Sequence, residues 1–310
     1  MMSSRSLLPV LAAACGIATF SVMDALMKGA SITVGVYTAL LWRNLIGAML
    51  CLPVWLAVSQ RALPSRAMLV VHAFRSALVC AMASLFFWGL VRTPMAVGIA
   101  LSFISPLVAL YLSALFLGEA VTRRALLASL IALTGVAVVA FGRLGAGGGM
   151  GADSRAGLIA ILCSAMLYAG NLVMQRHQAQ RASPAEIALF QNLFIALIML
   201  PLAPWLAVWP GQSGFDPAHL GLIGAAAMLA SISLGLLGWG WARAEAHRLL
   251  PVEYSAFVWS ALCGWWWFGE RPSVWTLGGV LLIVGGVWVG TAQKVAQTSG
   301  EQGLPGELTL

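Results

Sequence analysis

Phe116-Leu117-Gly118-Glu119 and Trp267-Phe268-Gly269-Glu270 decide how this chain is read. Each closes one apolar segment and precedes the next, and the two lie 151 positions apart. The same offset, without a gap, lays Trp88-Gly89-x-x-Arg92 onto Trp239-Gly240-x-x-Arg243 and Gly135-Val136-x-Val138 onto Gly286-Val287-x-Val289. Leu78, Leu126 and Leu130 fall on Leu229, Leu277 and Leu281. Gly, Leu and Trp are common throughout, so one coincidence carries little. A gapless run holding Trp, Arg and Gly-Glu together reads as a duplication.

The residues between these marks are apolar: 61% of the chain is hydrophobic and 9% charged, against about 25% charged in a soluble domain. Mean hydropathy is +0.92. One core cannot hide that much apolar surface in 310 residues, so the solvent is lipid and the fold is an all-α membrane bundle. The formal charge of +7 then marks loops held at an anionic membrane face rather than nucleic-acid binding. Cys15, Cys51, Cys80, Cys163 and Cys263 fall in separate apolar segments, without C-x-x-C or metal-ligand spacing. They read as packing residues, and no metal or cofactor is expected. Ahead of Asp24 and Lys28 there is no convincing cleavage site, so the first segment is expected to be an uncleaved span.

Ten segments are long enough to cross: 7–27, 34–58, 68–91, 95–117, 125–141, 157–174, 187–208, 220–241, 252–268 and 274–292. The fifth, sixth and ninth are short against the roughly 17–25 residues a span needs. Ser65-Arg66, Thr93-Pro94 and Ser183-Pro184-Ala185-Glu186 read as helix starts. The chain divides into a first five-helix repeat (1–142), a Gly-rich linker (143–156), a second repeat (157–293) and a polar tail (294–310) expected to be disordered. With the N-terminus in the cytoplasm, inner loops hold ten Lys and Arg and outer loops five. The positive-inside rule therefore puts both ends in the cytoplasm. Five spans per half is odd, so the second repeat is inverted against the first. Inverted repeats build a site near the bilayer midplane that opens to each side in turn.

These residues resemble the drug/metabolite transporter superfamily, EamA type. The resemblance rests on Gly-Glu between the fourth and fifth segments of each half and on Asp24-Ala25-x-x-Lys28 at the end of the first. Arg43 in the second, with Pro94-Met95-Ala96 and Ser105-Pro106-Leu107 around the fourth, also matches. It covers about residues 7–292 and implies a ten-helix inner-membrane carrier of small metabolites: amino acids, S-adenosylmethionine, vitamins, nucleotide sugars or drugs. One departure is Phe257, which stands where the first half has Pro106.

An ionised group at the centre of a membrane helix costs about 2.5–3.5 kcal/mol and needs a reason inside the protein. Asp24 reads either as a substrate-facing or proton-linked carboxylate, or as half of an Asp24–Lys28 pair at headgroup level. Arg43 and Asn44 lie well inside the second segment. Arg43 needs an acidic partner, for which Asp24 is nearest by topology, or an anionic substrate. Tyr168, Asn171 and Gln175 form one stripe on the sixth segment, read as lining the cavity, with interhelical bonding as the alternative. Gln191 and Asn192 read as packing contacts. Glu253 and Tyr254 open the ninth segment, where Glu253 could gate or simply face the helix dipole. Glu119 and Glu270 are expected to pair with Arg123 or Arg271 at helix ends. Ser105 and Pro106, with Ser102, interrupt the fourth segment and read as a hinge. Trp259, with Trp265, Trp266 and Trp267, offers an aromatic wall or lipid-facing packing.

His72, His177, His219 and His247 all fall at segment ends, and no nucleophile elbow, H-E-x-x-H or deep carboxylate pair is present. The expectation is therefore a carrier for a small-molecule substrate, as a monomer or homodimer, and either a facilitator or coupled to protons or to the membrane potential. A multidrug exporter of the same fold is the alternative. A non-transporting receptor or an intramembrane enzyme is a distant one.

Overall fold

The computed structural model of the chain describes residues 8–58, 63–117, 123–145, 152–179, 181–212, 215–241, 243, 252 and 254–301. The first half is α1 (Leu8–Val34), α2 (Val36–Val58), α3 (Arg66–Arg92), the broken pair α4 (Met95–Ser102) and α5 (Ser105–Leu117), and α6 (Arg123–Gly145). The second is α7 (Ala152–Ala179), then α8 (Pro184–Met199) continued by a 3-10 turn and the short α9 (Ala203–Leu206), α10 (Pro217–Trp241), α11 (Ser255–Phe268) and α12 (Val274–Glu301). Counting α4 with α5 and α8 with α9, each half supplies five spans among the described residues, ten in all.

Six of these stretches are long and apolar enough to cross a membrane, and Met95–Ala109, Ser129–Gly142 and Val274–Gly286 are shorter apolar helices. Large side chains such as Met49, Val70, Phe74, Phe141, Ile159 and Trp266 face outward. A bundle as apolar outside as inside fits lipid rather than water.

Local signals set several boundaries. The Ser65 hydroxyl accepts the Met68 N–H at the start of α3, and Ser183, followed by Pro184, does the same for Glu186 at the start of α8. The interruption read at Ser102, Ser105 and Pro106 is present as the α4–α5 break. Other boundaries move outward. The sixth span, short by hydropathy, is a 28-residue helix. α1 continues to Val34, seven residues past the expected end, and α12 continues to Glu301, so the segment read as a tail begins inside a helix. Of the linker, residues 146–151 lie outside the described residues.

The two halves interleave, and their contacts come in pairs that exchange one half for the other. α1 packs on α10 as α7 packs on α3; α1 meets α11 as α7 meets α4 and α5; α2 meets α10 as α8 meets α3. The remaining large seams, α6 with α12 and α2 with α8, join spans that are their own mates. The correspondence reaches single residues. A Cβ on Gly89 would sit 2.6 Å from the Gly157 carbonyl oxygen, and one on Gly240 would sit 2.9 Å from that of Pro9. Duplication has preserved the same close backbone approach in both tight pairs. Gly89→Val should force α3 from α7 and cost about 1–3 kcal/mol, read as a lowered melting temperature of the purified protein. An unchanged melting temperature would show that this seam tolerates separation.

Candidate functional site

The Gly-Glu of the second half shows what that motif builds. Gly269 ends α11 in the left-handed region at φ 64, and its N–H bonds the Trp265 carbonyl. Such a cap strongly favours glycine. The turn brings the Glu270 carboxylate back onto the first half. There Oε2 accepts the Met95 N–H at 2.7 Å, at the first turn of α4. Oε1 pairs with Lys28 of α1, whose Nζ also donates to the Thr93 carbonyl at 2.8 Å. A carboxylate at a helix N-terminus and an ammonium on a helix-terminal carbonyl each complement the backbone dipole. Lys28 is buried and lies 4.9 Å over the Phe268 ring. α1, α4 and α11 are thus clasped at the end of the bundle where Gly35 turns α1 into α2. The expected pairing of Glu270 with Arg271 is replaced by this contact across the halves. Glu119, its repeat mate, lies outside the described residues.

One helical turn deeper than Lys28 is Asp24. Because α1 continues to Val34, Asp24 is ten residues, or about 15 Å, from the helix end. It is a mid-helix carboxylate, only 4% exposed. Arg43 of α2 approaches the Met23 sulfur at 3.9 Å and the Phe87 ring at 6.0 Å. Among the described residues the ion pairs are Lys28–Glu270, His72–Glu186 and Arg92–Asp153. Asp24 and Arg43 belong to none of them, although each acts on the other through space. Cys263 of α11 is also within electrostatic range of Asp24. Met23, Met27, Phe87 and Cys263 belong to the apolar cluster that surrounds these groups, drawn from both halves.

A second polar group lies toward the opposite end. Arg75 of α3 donates from Nε to Asn171 Oδ1 at 2.8 Å and from Nη1 to Gln178 Oε1 at 2.7 Å, both on α7. With its oxygen committed to Arg75, the Gln178 amide presents Nε2 to His72 Nδ1 at 2.5 Å. His72 Nε2–H then donates to Glu186 Oε1 of α8 at 3.0 Å, and the Phe190 ring stacks on the imidazole at 5.2 Å. Donor follows donor from Arg75 to Glu186, which is what a buried chain of this kind requires. Sequence reasoning missed this group, although the signal was present. His72 and Arg75 sit three residues apart within the third apolar segment, and Arg75, like Arg43, is a guanidinium inside an apolar segment that needs a partner there.

The other sequence candidates scatter. Asn171 is buried and taken by Arg75, while Tyr168 and Gln175 are exposed, so the three members of the stripe on α7 meet different surroundings. Asn44 shares a buried stripe with Gly47, Cys51 and Trp55; its Nδ2 bonds the Leu40 carbonyl, and its Oδ1 has no partner among the described residues. Tyr254 stacks edge-on against Phe103 at 5.4 Å, beside the α4–α5 break. There Ser105 is fully buried and donates to the Ser102 carbonyl at 2.8 Å, and Pro106 follows in the first turn of α5. Trp259 lies on the exposed side of α11 with Val258 and Leu262. Glu253 lies outside the described residues.

Comparison with known proteins agrees with this architecture. The EamA-like transporter family matches the chain twice, over residues 7–141 and 155–291, which are the two halves. The pseudopaline exporter CntI of Pseudomonas aeruginosa is 28% identical over 95% of this chain and 98% of its own length. The riboflavin transporter of Brucella anthropi is 27% identical over 79% of this chain and 84% of its own. One solved structure superposes with a TM-score of 0.62 at 22% identity, over 94% of this chain and 99% of the other, a likeness of fold.

Proposed function

Because the chain belongs to the EamA-like transporter family, we propose that it is a secondary carrier moving a small organic metabolite across the inner membrane by alternating access, with both termini in the cytoplasm. The observation that carries this reading is a buried acid, Asp24, and a half-buried base, Arg43, on neighbouring helices, each without a bonded partner of opposite charge among the described residues. Charges left open in an apolar bundle mark a pathway or a ligand site. They lie between halves whose contacts exchange in pairs, the arrangement that lets one fixed site face either side.

In this reading the Lys28–Glu270 clasp is the closed gate over the site at the outer end. The break at Ser102–Ser105, with Pro106 and Tyr254 beside it, is where the fourth span bends when that end opens. The pseudopaline exporter among its relatives supports the alternative, a multidrug or toxic-metabolite exporter of the same fold.

Purified protein in sealed liposomes tests the reading by counterflow of labelled amino acids, S-adenosylmethionine and vitamins. At least one solute should exchange, and Asp24→Asn should lower its rate tenfold or more while leaving the yield of folded protein close to the parent. Equal loss of rate and yield would make Asp24 a structural residue instead. Folded protein that exchanges nothing would end the carrier assignment.

A further inference from the structure

Building on the carrier reading, we infer that Asp24 and Arg43 are the two halves of a receptor for a zwitterion: an ammonium bound at Asp24 and a carboxylate at Arg43, as in a free α-amino acid with an apolar side group. Three observations carry this. Among the described residues the site holds one acid and one base and no surplus of either, since Lys28, one turn from Asp24, is neutralised by Glu270. A net anion or cation entering it would leave one charge uncompensated in a low-dielectric interior, whereas a zwitterion leaves none.

Next, the two groups do not satisfy each other. The Arg43 guanidinium faces a thioether and an aromatic ring, which are weak partners for a planar cation built to take a carboxylate in a two-pronged grip. The Asp24 carboxylate accepts no hydrogen bond from a described residue, although it is more than nine-tenths buried. Each group therefore has bonding capacity that a ligand could use. Last, the surroundings are apolar and soft: Met23, Met27, Phe87 and Cys263. Methionines adapt to side groups of differing shape, so selectivity would rest on the charged end of the ligand and not on its side chain.

The test compares leucine, methionine and phenylalanine with their methyl esters, which lack the carboxylate, and their N-acetyl forms, which lack the ammonium. Riboflavin serves as a solute of different chemistry. Ligand binding is read as a rise in melting temperature and transport as counterflow. At least one free amino acid should bind and exchange, with its ester and its N-acetyl form at least tenfold weaker. Arg43→Met should narrow the gap between free acid and ester, and Asp24→Asn the gap between free amine and N-acetyl form. A purely structural role would change neither ratio. The comparison on the unmodified protein stands even if a variant fails to fold. Esters and N-acetyl forms that bind as well as the free amino acids would overturn the inference. Exchange of riboflavin with silence from every amino acid would overturn it and leave the carrier reading standing; silence from every solute would remove both.

Discussion

Glu270→Ala should lower the melting temperature of the detergent-purified protein by on the order of 5–10 °C. The side chain is the acidic half of an ion pair with buried Lys28 and also caps the first turn of α4 through the Met95 N–H. Removing one partner of a buried pair costs about 3–5 kcal/mol because the other charge stays in the interior unpaired. Glu270→Gln should fall between, since an amide oxygen can still accept from Met95 while the charge is gone. The diagnostic variant is the double change Lys28→Met with Glu270→Gln. It removes both charges, keeps the helix cap, and should be more stable than Glu270→Ala. A melting temperature within 1 °C of the parent for Glu270→Ala would mean that the clasp holds nothing together.

Arg75→Leu should be the second large loss, for a different reason. Its guanidinium supplies the donors for Asn171 Oδ1 and Gln178 Oε1, and the Gln178 amide is oriented by that bond toward His72. Without Arg75 two amide oxygens are buried without a donor, at about 1–3 kcal/mol each, and the Gln178 amide is free to turn over and disconnect His72. Arg75→Leu combined with Asn171→Leu removes one orphan and should recover part of the loss. The cycle of single and double variants should show a coupling of about 0.5–3 kcal/mol. Strictly additive losses would show that Arg75 and Asn171 do not act as a pair.

These two expectations also mark where the sequence could be read and where it could not. Gly269-Glu270 and its echo at Gly118-Glu119 exposed the duplication, because Gly-Glu between two apolar segments is a local mark repeated at one offset. Ser65, Ser183-Pro184 and the Ser105-Pro106 break were legible for the same reason: each acts within a few residues of itself. The partner of Glu270 was not, because Lys28 stands 242 positions away, and only the interleaving of the halves brings them together. Hydropathy ended the first helix at position 27 because Lys28 is charged, and so placed Asp24 near the surface. In the fold Lys28 is neutralised by Glu270, α1 runs on to Val34, and Asp24 becomes a mid-helix residue. Asn171 realises the alternative read for its stripe, a bond between helices. Its helical spacing with Tyr168 and Gln175 was right, but burial against Arg75 is a tertiary fact that spacing along one helix does not contain.

Alternating access requires that one buried site between the two halves be reached from each side of the membrane in turn. Cys263 reports on that site, since this buried cysteine of α11 belongs to the same packed cluster as Met23, the neighbour of Asp24 in α1. With Cys15, Cys51, Cys80 and Cys163 replaced by alanine, a membrane-impermeant thiol reagent is applied to sealed vesicles from the outside and, in a parallel set, from within. Cys263 should be modified from both sides, a transported solute should slow both reactions, and reaction from outside should be faster when Glu270→Gln loosens the clasp. Modification from one side only, unaffected by any solute that the protein exchanges, would contradict alternating access.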